Sequence, residues 1–277
     1  KNIITVIGDW RYSLFLLIMI GFWTMFNQLF YTLPNFIEQW VDTRLLLQQF
    51  QALIGNGASI LDNGSGEINP EMLINFDSAA IVIFQVLIST LVMKFKPLNT
   101  MMTGILISTL GVCLAFATQN SIFTFLGIFV FALGEMSSSP KFTEYIGRIA
   151  PADKAGLYMG TSFLPIAAGN YFAGKISGVL YQGMSDKYTL LKLEVTKRGL
   201  NIPEVSENFT LNNYYDKAGE LMHLTPTELT LMLWDTYNPS QIWNIFAAIG
   251  GAAVVALFLY DRFIIGKIPA TVSDNQD

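Results

Sequence analysis

The chain has 277 residues, 52% hydrophobic and only 13% charged, with one cysteine, one histidine and a formal net charge of -5. Soluble domains carry about 45–50% apolar and about 25% charged residues, so at a mean hydropathy of +0.44 the sequence holds more apolar surface than a soluble fold can bury. One cysteine excludes an internal disulfide and a cysteine metal site, and the acidic balance gives no support to nucleic-acid binding.

The charges cluster, leaving stretches of about 20 residues with none or one, the length of a bilayer span. The start, Lys1-Asn2-Ile3, lacks an initiator methionine, an n-region and a cleavage site. The first apolar run is therefore expected to be retained, with further chain ahead of Lys1. Six spans are predicted: Tyr12 to Leu33, Ile74 to Met93, Thr100 to Ala117, Ser121 to Glu144, Leu157 to Leu180 and Ile242 to Phe263. Cys113 lies inside the third and reads as a small core hydrophobe.

Six spans put both termini on one side. Arg11, Lys94, Lys96, Arg148, Lys154, Arg262 and Lys267 all fall on that side, which the positive-inside rule assigns to the cytoplasm of a multi-pass plasma or inner-membrane protein. The opposite side receives two long loops, 34–73 and 181–241, joined by the tight turn at Gln119-Asn120 and rich in acids such as Glu38, Asp42, Glu67 and Glu204. Loops this long usually carry structure of their own. Thr43 to Leu53 reads as an amphipathic helix, and a second helix is expected from Thr225, with Pro226 in its first turn and Glu228 completing a capping box. Both loops read as lids on the outer rim rather than as a catalytic domain. Gly55-Asn56-Gly57 and Asp62-Asn63-Gly64-Ser65-Gly66 lack the context of a dinucleotide or calcium motif and read as turns. Asn63-Gly64-Ser65 and Asn208-Phe209-Thr210 match the glycan acceptor pattern, which matters only in a eukaryotic secretory pathway. His223 stands alone as a solvated loop residue.

An ionisable residue deep in a span costs a few kcal/mol on insertion scales and by default faces a cavity or a partner. Glu135 meets that test in the fourth span, where Ser137, Ser138, Ser139 and Pro140 interrupt the apolar pattern. Asp77, beside Asn75 and Ser78, lies about a turn inside the second span, so it is either a functional acid or one favoured by the helix dipole near water. Asn27 and Gln28, flanked by Phe22, Trp23 and Phe26, either line a cavity or hydrogen-bond between helices. Lys175 in the fifth span is expected to snorkel to the surface rather than pair with an acid.

These positions also carry a resemblance. Phe22-Trp23-x-x-Phe26-Asn27-Gln28 resembles the seventh-helix pattern of proton-dependent oligopeptide transporters, a branch of the major facilitator superfamily. Gly134-Glu135, Ser139-Pro140, Ala150-Pro151, Gly160, Gly169-Asn170 and Ala173-Gly174 resemble, in order and spacing, that family's tenth helix, following loop and eleventh helix. The resemblance covers nearly all the spans but only the C-terminal six of the family's twelve helices. It implies an all-α membrane bundle of six transmembrane helices, built as two three-helix inverted repeats, that faces an N-terminal half, and proton-coupled uptake of di- and tripeptides by alternating access. Glu135 matches the glutamate that engages the peptide amino end. Asn27 stands where the family usually has an acid, Ser162 where many members have a tryptophan, and Asp77 where the eighth helix has an asparagine.

The expected substrate-binding set is Glu135, Trp23, Asn27, Gln28, Asp77, Ser139 and Ser162, with Glu135 and Asp77 also as proton-coupling groups. The expected partners are lipid, the N-terminal half, a small solute and protons, without cofactor or metal. A carrier for another solute class is the alternative within transport. An intramembrane enzyme would need a nucleophile with a histidine, or paired aspartates, and the spans hold no histidine and only one aspartate well inside.

Overall fold

The computed structural model describes residues 2–265; Lys267, counted above among the inner positive charges, lies outside them. Every regular element among the described residues is helical. A short helix, α1 (Asn2–Ile7), leads to α2 (Trp10–Phe26), whose first amides, Arg11 N and Tyr12 N, are capped by the Asp9 carboxylate. The run continues through α3 (Gln28–Tyr31) and α4 (Leu33–Trp40). The first span was expected to stop at Leu33, yet the chain stays helical to Trp40. Pro34, which looks like a stop, sits in the first turn of α4, where a missing N–H leaves no bond unmade. Next come α5 (Arg44–Ile54), α6 (Pro70–Val92), α7 (Pro97–Phe116) and α8 (Ser121–Ile149). Asn69 and Asn120 side chains cap α6 and α8, and prolines open α6 and α7.

The predicted fifth span is helical but divided. Helix α9 (Ala155–Thr161) gives way at Ser162 to α10 (Phe163–Lys175), followed by a π-helical turn, Ile176–Tyr181, and α11 (Gln182–Met184). Pro165 explains the break, because it cannot donate to the Thr161 carbonyl four residues back and its ring crowds that oxygen. Helices α12 (Lys187–Lys197), α13 (Leu211–Met222), α14 (Pro226–Tyr237) and α15 (Ile242–Tyr260) complete the described chain. Five helical runs are long and apolar enough to cross a membrane: Trp10–Trp40, Pro70–Val92, Pro97–Phe116, Ser121–Ile149 and Pro239–Ile265. The α9–α10 segment is not among them; its glycines, Asn170 and Lys175 dilute its apolar character.

Long helices pack side by side. Helix α7 lies against α8 and α15, α2 against α10 and α15, and α6 against α8. The α7–α8 seam is made of small residues: Gly104, Ser108, Gly111 and Ala115 face Gly127, Gly134 and Ser138. A Cβ on Gly127 would fall 2.7 Å from the Ala115 nitrogen, so the two backbones touch. Outside the bundle, Phe36 stacks on Phe116 and Trp234, while Phe50 of α5 packs on Phe76 and Phe125. The expected outer helices are present: α5 begins at Arg44, and α14 carries the Thr225–Glu228 capping box. The 62–66 string is a turn in which the Asp62 carboxylate accepts from the amides of Gly64 and Gly66, both at positive φ.

Candidate functional site

Glu135 stands at the centre of the 29 residues of α8, a helix of roughly 43 Å at 1.5 Å per residue, against a hydrocarbon core of about 30 Å. Across the interface, Asp77 of α6 is 1% exposed and its carboxyl group lies within hydrogen-bonding range of that of Glu135. The side chain is thus not a solvated cap near the end of α6. Oxygens Oδ1 of Asp77 and Oε2 of Glu135 are buried without a hydrogen-bond donor, and neither acid makes an ion pair among the described residues. Ionised carboxylates only accept, so a bond between two of them requires that one hold a proton.

The same level of α8 is weakened and then repaired. Pro140 cannot donate to the carbonyl of Met136, and Gln85 Nε2 of α6 donates to that oxygen at 3.3 Å. The α6–α8 contact therefore carries the carboxyl pair and, beside it, a side-chain substitute for a lost backbone bond.

One helical turn beyond Glu135, Ser139 faces a cavity of about 350 Å3 that it shares with Trp23, Phe142, Ser162, Phe163 and Ile166. Helices α2 and α10 come together tightly there: a Cβ on Gly169 would fall 2.8 Å from the Trp23 carbonyl carbon. The buried Trp23 Nε1 has no acceptor. Three of the expected residues, Trp23, Ser139 and Ser162, thus line one cavity, and two more, Glu135 and Asp77, form the adjacent pair.

Asn27 and Gln28 belong to neither group. Asn27 Nδ2 donates to the Trp23 carbonyl at 2.7 Å, marking the junction of α2 and α3. The Gln28 amide is wholly buried, donating to the Thr24 carbonyl at 2.9 Å and accepting from Thr32 Oγ1 at 2.6 Å. Both amides satisfy their own helix run rather than opening a polar surface. Lys175 is exposed and makes no ion pair among the described residues.

Sequence reasoning missed Lys141. It is 3% exposed on α8, pairs with Glu144 at 2.7 Å and donates to the Phe95 carbonyl at 3.3 Å, while Glu144 also holds Arg148 at 2.7 Å. Its signal was an ionisable residue inside a predicted span, the test that found Glu135. The same end of the bundle carries a buried polar clasp. Tyr12 Oη donates to the Tyr158 carbonyl at 2.7 Å, Tyr158 Oη donates to Asp9 at 3.1 Å, and the hydroxyls of Tyr145 and Tyr260 meet at 3.0 Å. Compared with family models, curated proteins and solved structures, the chain finds no match.

Proposed function

We propose that the chain is a six-helix bundle of a major facilitator carrier, resembling the C-terminal half of proton-dependent oligopeptide transporters and coupling proton entry to uptake of short peptides. The observation that carries this reading is the Asp77–Glu135 carboxyl pair, Glu135 midway along α8 and Asp77 about two turns into α6, without a cation beside it. Acids so placed are expensive in a membrane and are kept for proton or substrate handling. In this reading a proton shared by the pair is released, or exchanged for a substrate amine, as access alternates.

The packing supports the architecture. Exchanging α2 with α8, α6 with α10 and α7 with α15 maps the main contacts onto themselves: α7–α8 becomes α15–α2, α2–α10 becomes α8–α6, and α7–α15 is its own image. That is the contact pattern of two three-helix repeats, with the α9–α10 segment as the sixth span, and repeat interfaces of this kind hold midplane sites in secondary transporters. Apolar side chains left exposed on α6 (Val82, Ile83, Val86) and α10 (Phe163, Tyr171, Phe172) leave surface for lipid and for a second bundle. The Trp23, Ser139 and Ser162 cavity, with its unpartnered indole N–H, is the substrate pocket of this reading.

The test is accumulation of labelled di- and tripeptides under an imposed pH gradient, with this chain assembled with an N-terminal bundle. Glu135→Gln keeps the shape but cannot titrate, so proton-driven accumulation should be lost while counterflow survives. Equal accumulation by the two proteins removes Glu135 from the mechanism. An active carrier that takes up no peptide overturns the substrate class alone.

A further inference from the structure

At the end of the Trp10–Trp40 run, α4, α12, α13 and α14 enclose a groove of two adjoining cavities, of about 560 Å3 and about 470 Å3, which share Glu38, Gln39, Lys187, Pro226 and Thr230. Its floor is fixed by hydrogen bonds. Gln39 Oε1 accepts from Tyr181 Oη and from the Lys187 amide, both at 2.9 Å, and Gln39 Nε2 donates to Asp186 at 2.9 Å. Trp40 Nε1 donates to the Ser185 carbonyl at 2.7 Å, and Ser185 Oγ to that of Pro239 at 2.6 Å. Asp186 is fully engaged, since its other oxygen accepts from the amide and hydroxyl of Thr189.

From this floor the Lys187 ammonium rises between two rings, 5.5 Å from the centroid of Trp40 and 5.8 Å from that of Tyr215. It makes no ion pair among the described residues, although every other ammonium or guanidinium that pairs does so with a nearby acid. Glu38 on one wall and Asp216 on another are likewise without ion pairs among the described residues. One cavity is thus bordered by a half-buried cation without an ion pair, flanked by aromatic rings, and by two solvent-exposed carboxylates, on a scaffold of satisfied hydrogen bonds. The half-buried ammonium gives up part of its hydration without gaining a carboxylate; a ligand carboxylate supplies that partner, and the exposed acids offer the counter-charge for a ligand ammonium.

We propose that the outer groove binds a zwitterionic amino acid or short peptide, its carboxylate on Lys187 Nζ and its ammonium towards Glu38 and Asp216. The groove lies at the Trp40 end of the Trp10–Trp40 run and is lined by none of the residues of the Glu135 carrier site, so it holds or fails independently of that site. Both ligand charges are needed: a simple anion would leave the acids unmet, and a simple cation would be repelled by Lys187.

The experiment is equilibrium binding of labelled L-alanyl-L-alanine to the purified whole chain in lipid nanodiscs, with tryptophan fluorescence read in parallel. Saturable binding should perturb the emission, and Trp40→Phe should remove that change. Lys187→Met keeps the apolar stem between the rings and should weaken binding about tenfold or more, the effect of losing one charge-assisted hydrogen bond. Lys187→Arg should retain it. Alanyl-alanine amide, without the carboxylate, and the N-acetyl dipeptide, without the ammonium, should both bind poorly. The proposal is overturned if wild type shows no saturable binding, if Lys187→Met binds as wild type does, or if either blocked dipeptide binds as well as the free one. Should Lys187→Met not fold, Glu38→Gln decides: it must weaken the free dipeptide and leave the N-acetyl dipeptide unchanged.

Discussion

At the scale of single residues, Lys187 makes the sharpest claim on solution behaviour. Burial pushes its ammonium down to about 8, with Glu67 opposing part of the shift. The groups facing it are Glu38 from α4, Glu67 from the chain ahead of α6, Tyr215 and Asp216 from α13, and Asp186 and Tyr188 beside it; burial holds the Tyr215 phenol well above its ordinary range. A carboxylate ligand pairs only with the charged amine. The dipeptide's own amine titrates in the same range, so binding should be full below about pH 7 and fall by up to about a hundredfold per pH unit well above pH 8 as both protons are lost. A guanidinium does not deprotonate, so Lys187→Arg should lose binding above about pH 8 only through the ligand's own amine, and less steeply than wild type; profiles of equal steepness would contradict the assignment. Nothing in the sequence marks Lys187, a lysine in a polar loop, because its surroundings come from Gln39 and Asp186, whose side chains meet across 147 positions. Glu135 and Asp77 were legible as acids in apolar runs. That they touch was not, since they lie at different distances along their helices.

Among the helices, local chemistry was readable and contact geometry less so. The Thr225–Glu228 capping box and the amphipathic α5 follow from spacing alone. Pro34 misled because proline both stops helices and starts them, and the break at Ser162 follows from Pro165 three residues on. The small residues of α7 and α8 could be seen, yet only packing shows that they form one seam. A Cβ on Gly111 would meet the Gly127 carbonyl oxygen at 2.6 Å, with backbone behind it that cannot yield. Overpacking commonly costs about 1–3 kcal/mol, so Gly111→Leu should lower the thermal midpoint of the chain in detergent markedly. Gly174→Leu, with no atom within 4 Å of its Cβ, should leave the midpoint near that of wild type. Equal midpoints for the two variants would dissolve the seam as a structural feature.

For the whole molecule, the hydropathy pattern predicts six spans, of which five correspond to helical runs long and apolar enough to cross a membrane, and the short-loop positive charges predict an orientation. Cysteines placed at Ser65 and Ser206 should react with an impermeant thiol reagent in intact cells, and one at Ala152 should not; the reverse pattern would invert the topology. The orientation is an expectation from charges local to each loop, whereas the exchange relation among the packed helices emerges only from contacts. The joint at Pro140 has a mechanical meaning on this scale. A helix that loses a backbone bond bends there at small cost, but here the slack is taken up by Gln85 on the neighbouring helix. Helix α6 therefore works as a tie rod on α8: swinging the outer arm of α8 about Pro140 must either drag α6 along or break that strut. Glu135 adjoins Met136 in this joint, with Asp77 against it, so the carboxyl pair and the strut share one stretch of the α6–α8 contact.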